Sequence, residues 1–275
     1  MTTTAVLPEP VTPEGRAGLA ALLAAPGQAL AGLDFDGTLS PIVADPAQAR
    51  AHPAAVPALR RLSGVLGTLA VITGRPAGVA ADLGGFDQVP GLIVLGQYGL
   101  ERWVDGQLIV PPTPPGVAAA RAELPALLAD AGAPGGVQIE DKGLAVAVHT
   151  RRAPDPQAVL DQLRDPLAGL AARHGLTVEP GRLVIELRPP GTDKGSALKN
   201  LVAERKSRAV MFCGDDLGDV AAFGAVRALR GTGIPGLAVC SGSPEVTALA
   251  ESADLVVAGP DGIAALLTAL ADALT

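Results

Sequence analysis

Leu33-Asp34-Phe35-Asp36-Gly37-Thr38-Leu39 continues the short apolar run Ala29-Leu30-Ala31-Gly32, and the junction between the two decides the fold. Five apolar residues that stop where carboxylates begin have the length and composition of a strand buried on both faces, as in parallel sheets. Side chains alternate along a strand, so Asp34 and Asp36 share one side and Phe35 faces the other while the extended conformation lasts. Gly37 and Thr38 then turn the chain. Two carboxylates this close repel each other unless a cation lies between them or one holds a proton. The competing reading is an acidic strand-to-turn boundary, since Asp is common in turns.

The same logic recurs along the chain. Thr68-Leu69-Ala70-Val71-Ile72 reads as a second strand and ends in Thr73-Gly74-Arg75-Pro76. Leu92 to Gly96 is a third, followed by a hairpin through Asp105-Gly106, a strong turn signal between alternating apolar positions. Ala209 to Cys213 is a fourth and runs into Gly214-Asp215-Asp216-Leu217-Gly218-Asp219, too acidic for an ordinary helix start, although one Asp there can serve as an N-cap. Leu237 to Cys240 and Leu255 to Val257 complete the set, with helices expected over 14–25, 56–66 and 193–206 and from 217 and 261. Open parallel sheets bind ligands at the carboxyl ends of their strands, so Asp34, Asp36, Thr73, Asp215 and Asp216 can converge from distant parts of the sequence. Lys194, one residue into a helix, can neutralise a phosphoryl oxygen while the helix amino terminus adds N–H donors; a solvated surface lysine is the plainer alternative.

Two Pro-rich stretches, Pro111-Pro112-Thr113-Pro114-Pro115-Gly116 and Arg188-Pro189-Pro190-Gly191, interrupt this pattern. Between them the spacing predicts a helix over 117–131, strands over 137–140 and 144–150, a helix over 156–173, and strands over 176–179 and 183–187 joined by a Pro-Gly turn. The chain is therefore expected to be an α/β parallel-sheet core, residues 1–111 and 191–275, with a smaller α+β module inserted at 112–190. Proline stiffens a linker, so hinge motion would concentrate at Gly116 and Gly191. Met1 to Pro13 reads as a loose lead-in.

Composition narrows the function. With 275 residues, 48% hydrophobic and only 2% aromatic, the chain has ample core material, mostly Ala, Leu and Val. A formal net charge of -7 disfavours nonspecific binding to nucleic acid or anionic membrane. One Trp and one Tyr leave few platforms for base stacking. Cys213 and Cys240 form no CxxC pair and suit a reducing compartment, although a redox pair stays open if their strands are neighbours. The amino terminus lacks the basic start and apolar stretch of a signal peptide, and no apolar run is long enough to span a membrane, so a cytoplasmic protein is expected.

The ordered set DxDGT, a Thr after the second strand, a Lys and GDDxxxD resembles the haloacid-dehalogenase superfamily of phosphotransferases, whose Rossmann-like core carries a cap domain. Within it the chain is similar to the trehalose-6-phosphate phosphatases through Leu33 to Leu39 with Ser40-Pro41, Ile72-Thr73-Gly74-Arg75, Gly99-Leu100-Glu101, Glu140-Asp141-Lys142-Gly143, His149-Thr150-Arg151, Glu186-Leu187-Arg188-Pro189 and Gly214-Asp215-Asp216. It departs from them at Gly218-Asp219-Val220, where Thr-Asp-Glu is common, and at Tyr98, where His is often found.

The resemblance implies a catalytic cycle. Asp34 would attack phosphorus and form an aspartyl phosphate, while Asp36, neutral for its first task, would protonate the leaving sugar oxygen and then activate water. Asp34, the Asp36 backbone carbonyl and Asp215 would hold Mg2+, Asp216 and Asp219 would orient that shell, and Thr73 and Lys194 would stabilise phosphoryl charge. Arg75, Glu101, Glu140, Lys142, His149, Arg151 and Glu186 would bind the substrate, with Arg75 able either to pair with local carboxylates or to approach phosphate. The expected partner is a small sugar phosphate, with no nucleic acid or membrane, and the expected state a monomer. Alternatives are a phosphatase of sucrose phosphate or a glycosylated phosphoglycerate, a phosphorylated receiver domain, and a non-catalytic partner of a sugar synthase. The second acid at Asp36 and the inserted module count against a receiver.

Overall fold

The computed structural model describes residues 6–242 and 247–275, so residues 1–5 of the expected lead-in lie outside the described residues. The chain forms two compact units, Met1–Val110 with Asp193–Thr275, and Pro111–Thr192. In chain order the first segment carries α1 (Pro13–Ala24), β1 (Ala29–Leu33), α2 (Ala55–Ser63), β2 (Thr68–Ile72), α3 (Ala77–Gly84), β3 (Ile93–Gly96), β4 (Glu101–Val104) and β5 (Gln107–Ile109). The second unit carries α4 (Pro115–Asp130), β6 (Gln138–Asp141), β7 (Val146–His149), α5 (Pro156–Arg173), β8 (Thr177–Gly181) and β9 (Val184–Arg188). The chain then returns to the first unit with α6 (Lys194–Arg205), β10 (Ala209–Gly214), α7 (Val220–Gly231), β11 (Gly236–Gly242), α8 (Thr247–Glu251), β12 (Leu255–Ala258) and α9 (Gly259–Leu274).

The first unit is an eight-stranded sheet ordered β12-β11-β10-β1-β2-β3-β4-β5. Six strands are parallel, and β4 and β5 add an antiparallel margin. The hairpin turns through Asp105 (φ 46°) and Gly106 (φ 80°), the left-handed pair that an Asp-Gly turn supplies. All five residues of β1 are buried, because helices cover both faces. Ala29, Ala31 and Leu33 pack with α2, α3 and α9, while Leu30 packs with Phe212, Leu198 and Phe223 on the other face. From β1 the chain winds outward through β2 and β3 on one side and, after its return, through β10, β11 and β12 on the other. The junction of β1 with β10 is thus the topological switch point, where open α/β sheets form their ligand crevice.

The second unit is a four-stranded antiparallel sheet ordered β6-β7-β9-β8, with α4 and α5 on one face. Val146, Val148, Ile185 and Leu187 point into that helical layer. By alternation Glu140, His149 and Glu186 lie on the opposite face.

The structure corrects one expectation, closes an open alternative and adds one helix. Pro180 and Gly181 are not the turn of the last hairpin: they pair with Ile185 and Val184, and the chain reverses at Arg182-Leu183, where Leu183 takes φ 60°. The register that pairs Cys213 with Val239 and Gly214 with Cys240 sends the two thiols to opposite faces of the sheet, which removes the redox pair although the strands are neighbours. Helix α3 was not expected after Pro76, because its Ala- and Gly-rich run carries no clear periodic signal.

Candidate active site

The crevice at the switch point is built from chain turns. After Leu33 the ladder continues for one residue, Asp34 N–H donating to Cys213 O at 2.8 Å, and the chain then turns back through Gly37. Gly37 takes φ +75°, and a Cβ there would lie 1.9 Å from Asp215 Oδ2, so only glycine lets the Asp215 carboxylate lie against the loop. Thr38 Oγ1 donates to Asp215 Oδ1 at 3.3 Å, and the Ser241 hydroxyl at the end of β11 donates to Gly37 O at 2.7 Å. Sequence reasoning missed both hydroxyls; the only trace of Ser241 is that it closes yet another core strand in a polar group.

Lys194 arrives on the first turn of α6. The Asp193 side chain caps that helix by accepting from Ser196 N at 2.8 Å. Gly195 brings the turn hard against α7, since a Cβ there would lie 2.2 Å from Ala221 O. The buried ammonium reaches Asp34 Oδ1 at 2.7 Å and Asp219 Oδ1 at 2.8 Å. The other oxygen of Asp219 accepts from the N–H groups of Asp215 and Asp216, at 3.0 and 3.2 Å. With both oxygens engaged, Asp219 suits orienting its neighbours. Asp216 is exposed and caps the following turn by accepting from Gly218 N at 2.8 Å, so its side chain belongs to the backbone there.

Asp34, Asp215 and Asp219 each bring one carboxylate oxygen within 4.8 Å of the others, all buried. One ammonium cannot neutralise three such groups. Burial pushes the Asp34 carboxyl well above the ordinary range, Asp219 and Asp215 add to this, and Lys194 opposes it. Burial, followed by the charges of Asp219 and Asp216, pushes Asp215 up to about 7. Burial also raises Asp219 against the pull of Lys194. Desolvation by itself would lower Lys194, but Asp219 and Asp34 outweigh it and hold its pKa well above that of an ordinary lysine. A surplus of buried negative charge with only oxygen donors fits a hard divalent cation and lacks the His and Cys ligands of a zinc centre.

Thr73 follows β2, is buried, and accepts from Arg75 N–H at 3.2 Å, which leaves its own O–H free to donate. Tyr98 N–H donates to Thr73 O at 2.9 Å and Gln97 N–H to Arg75 O at 2.8 Å, so the corner after β3 clasps this loop. Residues 97 to 99 are all left-handed there, with φ of 45°, 59° and 99°. Glu101 holds the corner: its buried carboxylate accepts from Ala77 N–H and from the Gln97 amide, each at 2.6 Å. Asp36 and Arg75 form a fork, Nε to Oδ2 at 2.6 Å and Nη2 to Oδ1 at 2.7 Å.

The remaining expected substrate contacts lie in the second unit. Lys142 pairs with the buried Glu186, and His149 Nε2 lies 2.8 Å from Glu140 Oε2. Glu140, His149, Arg151 and Gln138 line a cleft of about 640 Å3 within that unit.

Known proteins resemble this chain in sequence and in fold. The profile of the family described as Trehalose-phosphatase matches residues 32–257. A probable trehalose-phosphate phosphatase of Sinorhizobium fredii (strain NBRC 101917 / NGR234) is 35% identical over 206 residues, 74% of this chain and 75% of that one. A trehalose-phosphate phosphatase of Mycobacterium avium (strain 104) is 37% identical over 214 residues, 74% of this chain and 52% of that protein, so the chain spans about half the length of that relative. Among solved structures, the C-terminal domain of C. albicans trehalose-6-phosphate phosphatase superposes with TM-score 0.73 at 21% identity, covering 98% of this chain and 99% of that one, a likeness of fold.

Proposed function

Because the chain belongs to the trehalose-phosphatase family, we propose that it hydrolyses trehalose 6-phosphate to trehalose and phosphate. The observation that carries this reading is the buried Asp34-Lys194-Asp219 arrangement beside Asp215 at the switch point of the sheet. It offers a nucleophile, a fixed cation and a surplus of carboxylate in one crevice.

Asp34 attacks phosphorus in line while its P–O bond to the sugar breaks, and the resulting aspartyl phosphate is hydrolysed by water. Asp36 gives a proton to the departing sugar oxygen and later takes one from water. Thr73 and Lys194 stabilise the charge on the phosphoryl oxygens. Asp34, the Asp36 carbonyl and Asp215 would hold Mg2+, with Asp219 orienting them. When bound, the ion supplies positive charge that screens the nucleophile from the anionic substrate. Two carboxylates and one ammonium, Glu140, Glu186 and Lys142, can accept from and donate to sugar hydroxyls, with His149 and Arg151 at the margin. The second unit is, in this reading, the sugar-selecting cap. Free cysteines on opposite faces of the sheet favour a reducing compartment, the cytoplasm.

The test is phosphate release with Mg2+ from trehalose 6-phosphate, sucrose 6-phosphate, glucose 6-phosphate and glucosyl phosphoglycerate, with Asp34→Asn as control. Preference for trehalose 6-phosphate, lost in the variant, is the expected result. Preference for another sugar would discard the substrate, and no release from any would revive a regulatory role beside a sugar synthase.

A further inference from the structure

Asp36 stands beyond the end of β1, in the turn that leads to Gly37, and 40% of its side chain is exposed. An exposed carboxyl on a turn has several rotamers, whereas proton transfer to an ester oxygen needs one orientation. Arg75 supplies the constraint. Each of its three nitrogens donates to a protein acceptor: Nε and Nη2 to the two oxygens of Asp36, at 2.6 and 2.7 Å, and Nη1 to Pro46 O at 2.9 Å. Its guanidinium carbon lies 5.6 Å from the centroid of the Phe35 ring, whose side chain is fully buried. Its own backbone is tied on both sides, N–H to Thr73 Oγ1 at 3.2 Å and O to Gln97 N–H at 2.8 Å. The residue between the two acids thus provides the platform for the arginine that grips the second.

We propose that Arg75 is the positioning residue of Asp36 and leaves the phosphoryl group to Thr73 and Lys194. This rests on the phosphatase reading and adds a role that reading does not contain. In the first half-reaction the Asp34 Oδ–P bond forms, the bond from phosphorus to the sugar oxygen breaks, and that oxygen takes the proton of Asp36. In the second, water oxygen displaces Asp34 from phosphorus while Asp36 takes the water proton. Both Asp36 oxygens accept from Arg75 as observed, which is the geometry of the second half-reaction. In the first, one arm of the fork opens and the other keeps the carboxyl aimed.

An aryl ester separates positioning from phosphate binding, because p-nitrophenolate departs without a proton. The measurement is kcat/KM, which ends at departure of the alcohol, for trehalose 6-phosphate and for p-nitrophenyl phosphate. The proteins are wild type, Arg75→Met, Arg75→Lys, Asp36→Asn and the double variant Asp36→Asn/Arg75→Met, each checked by thermal melting. Arg75→Met is expected to lose at least about 10-fold more on the sugar ester than on the aryl ester. Arg75→Lys should recover part of this, and Arg75→Met should cost less than about 3-fold further when Asp36 is already Asn. Equal losses on both esters, with full additivity in the double variant, would mean that Arg75 acts on the phosphoryl group and would overturn the proposal. If Arg75→Met does not fold, Arg75→Lys carries the same comparison. A wild type that prefers another sugar phosphate sinks the substrate reading alone, and the comparison on that ester still decides Arg75. Hydrolysis of neither ester class overturns both.

Discussion

Lys194 Nζ lies 2.7 Å from Asp34 Oδ1, with both side chains 5% exposed. The same ammonium lies 2.8 Å from Asp219, so one buried cation is shared by two buried anions. Replacing it by a neutral side chain leaves the carboxylates uncompensated, a change that costs about 3–5 kcal/mol in buried pairs. Lys194→Met is expected to lose activity by about 100-fold or more. The carboxylates escape the penalty by taking up protons, so the stability deficit should be larger at pH 8 than at pH 5.5. Urea unfolding at both pH values checks this, and a deficit independent of pH would count against it.

Asp215 gives a second prediction, with a definite sign. Its carboxyl titrates at about 7 when folded and at about 3.9 when unfolded. The folded state therefore binds the proton more tightly, and this contribution to stability is complete below pH 4 and lost as pH rises through 7. Without metal, the melting temperature should fall across that window. Asp215→Asn should flatten the fall, melt higher than wild type at pH 8 in EDTA, abolish turnover and remove the rise in melting temperature expected on adding Mg2+. Parallel pH profiles for the two proteins would refute this account.

Glu101 spends both carboxylate oxygens on neighbouring groups of the chain, and its effect is expected to pass through them. Its two oxygens hold the first N–H of α3 and the Gln97 amide, so Glu101→Ala strands both donors and loosens the clasp on the Thr73–Arg75 loop. Stranding buried donors costs about 1–3 kcal/mol for each group. The expected result is a lower melting temperature and a fall in kcat, with Glu101→Gln milder because one amide oxygen still accepts from Ala77. A variant with unchanged melting but a raised KM alone would point instead to direct substrate contact.

The thiols offer a test of the sheet register. Burial pushes the Cys213 thiol far up, and burial, then the nearby Asp215 and Asp219 charges, pushes Cys240 up to about 11. Native protein at pH 8 should therefore react with neither Ellman's reagent nor iodoacetamide, and both thiols should titrate at once in urea. Oxidants should produce no intramolecular disulfide, because the side chains leave opposite faces of the sheet. An intramolecular disulfide would contradict the register, and one fast-reacting thiol in the native state would contradict the burial.

The strands that bear the chemistry were the most legible parts of the sequence. Thr68 to Ile72 and Ala29 to Leu33 are recovered with their observed ends, since a buried parallel strand is a short apolar run with abrupt polar borders. The convergence of Asp34, Asp215 and Lys194 could be read from strand ends and a helix start. The partners of each side chain could not. That Arg75 grips Asp36 depends on how two loops from neighbouring strands face each other, and that Glu101 points inward depends on three successive left-handed residues, which Gln97 and Tyr98 give no local reason to expect. The faces of Cys213 and Cys240 turn on a one-residue offset between adjacent strands, which periodicity within either strand cannot reveal.

Among the described residues, the four strands between 138 and 188 form a sheet of their own, and the buried apolar cluster beneath it runs from Ala120 to Leu187. The chain enters this unit once and leaves it once. Mutations on its polar face can therefore accumulate without disturbing the hydrogen-bond ladder that sets Asp34 beside Cys213. Inheritance acts on two nearly independent texts within one gene. If the cleft around Glu140 and His149 selects the sugar as proposed, selection can rewrite it while the passage carrying Asp34 is copied unaltered.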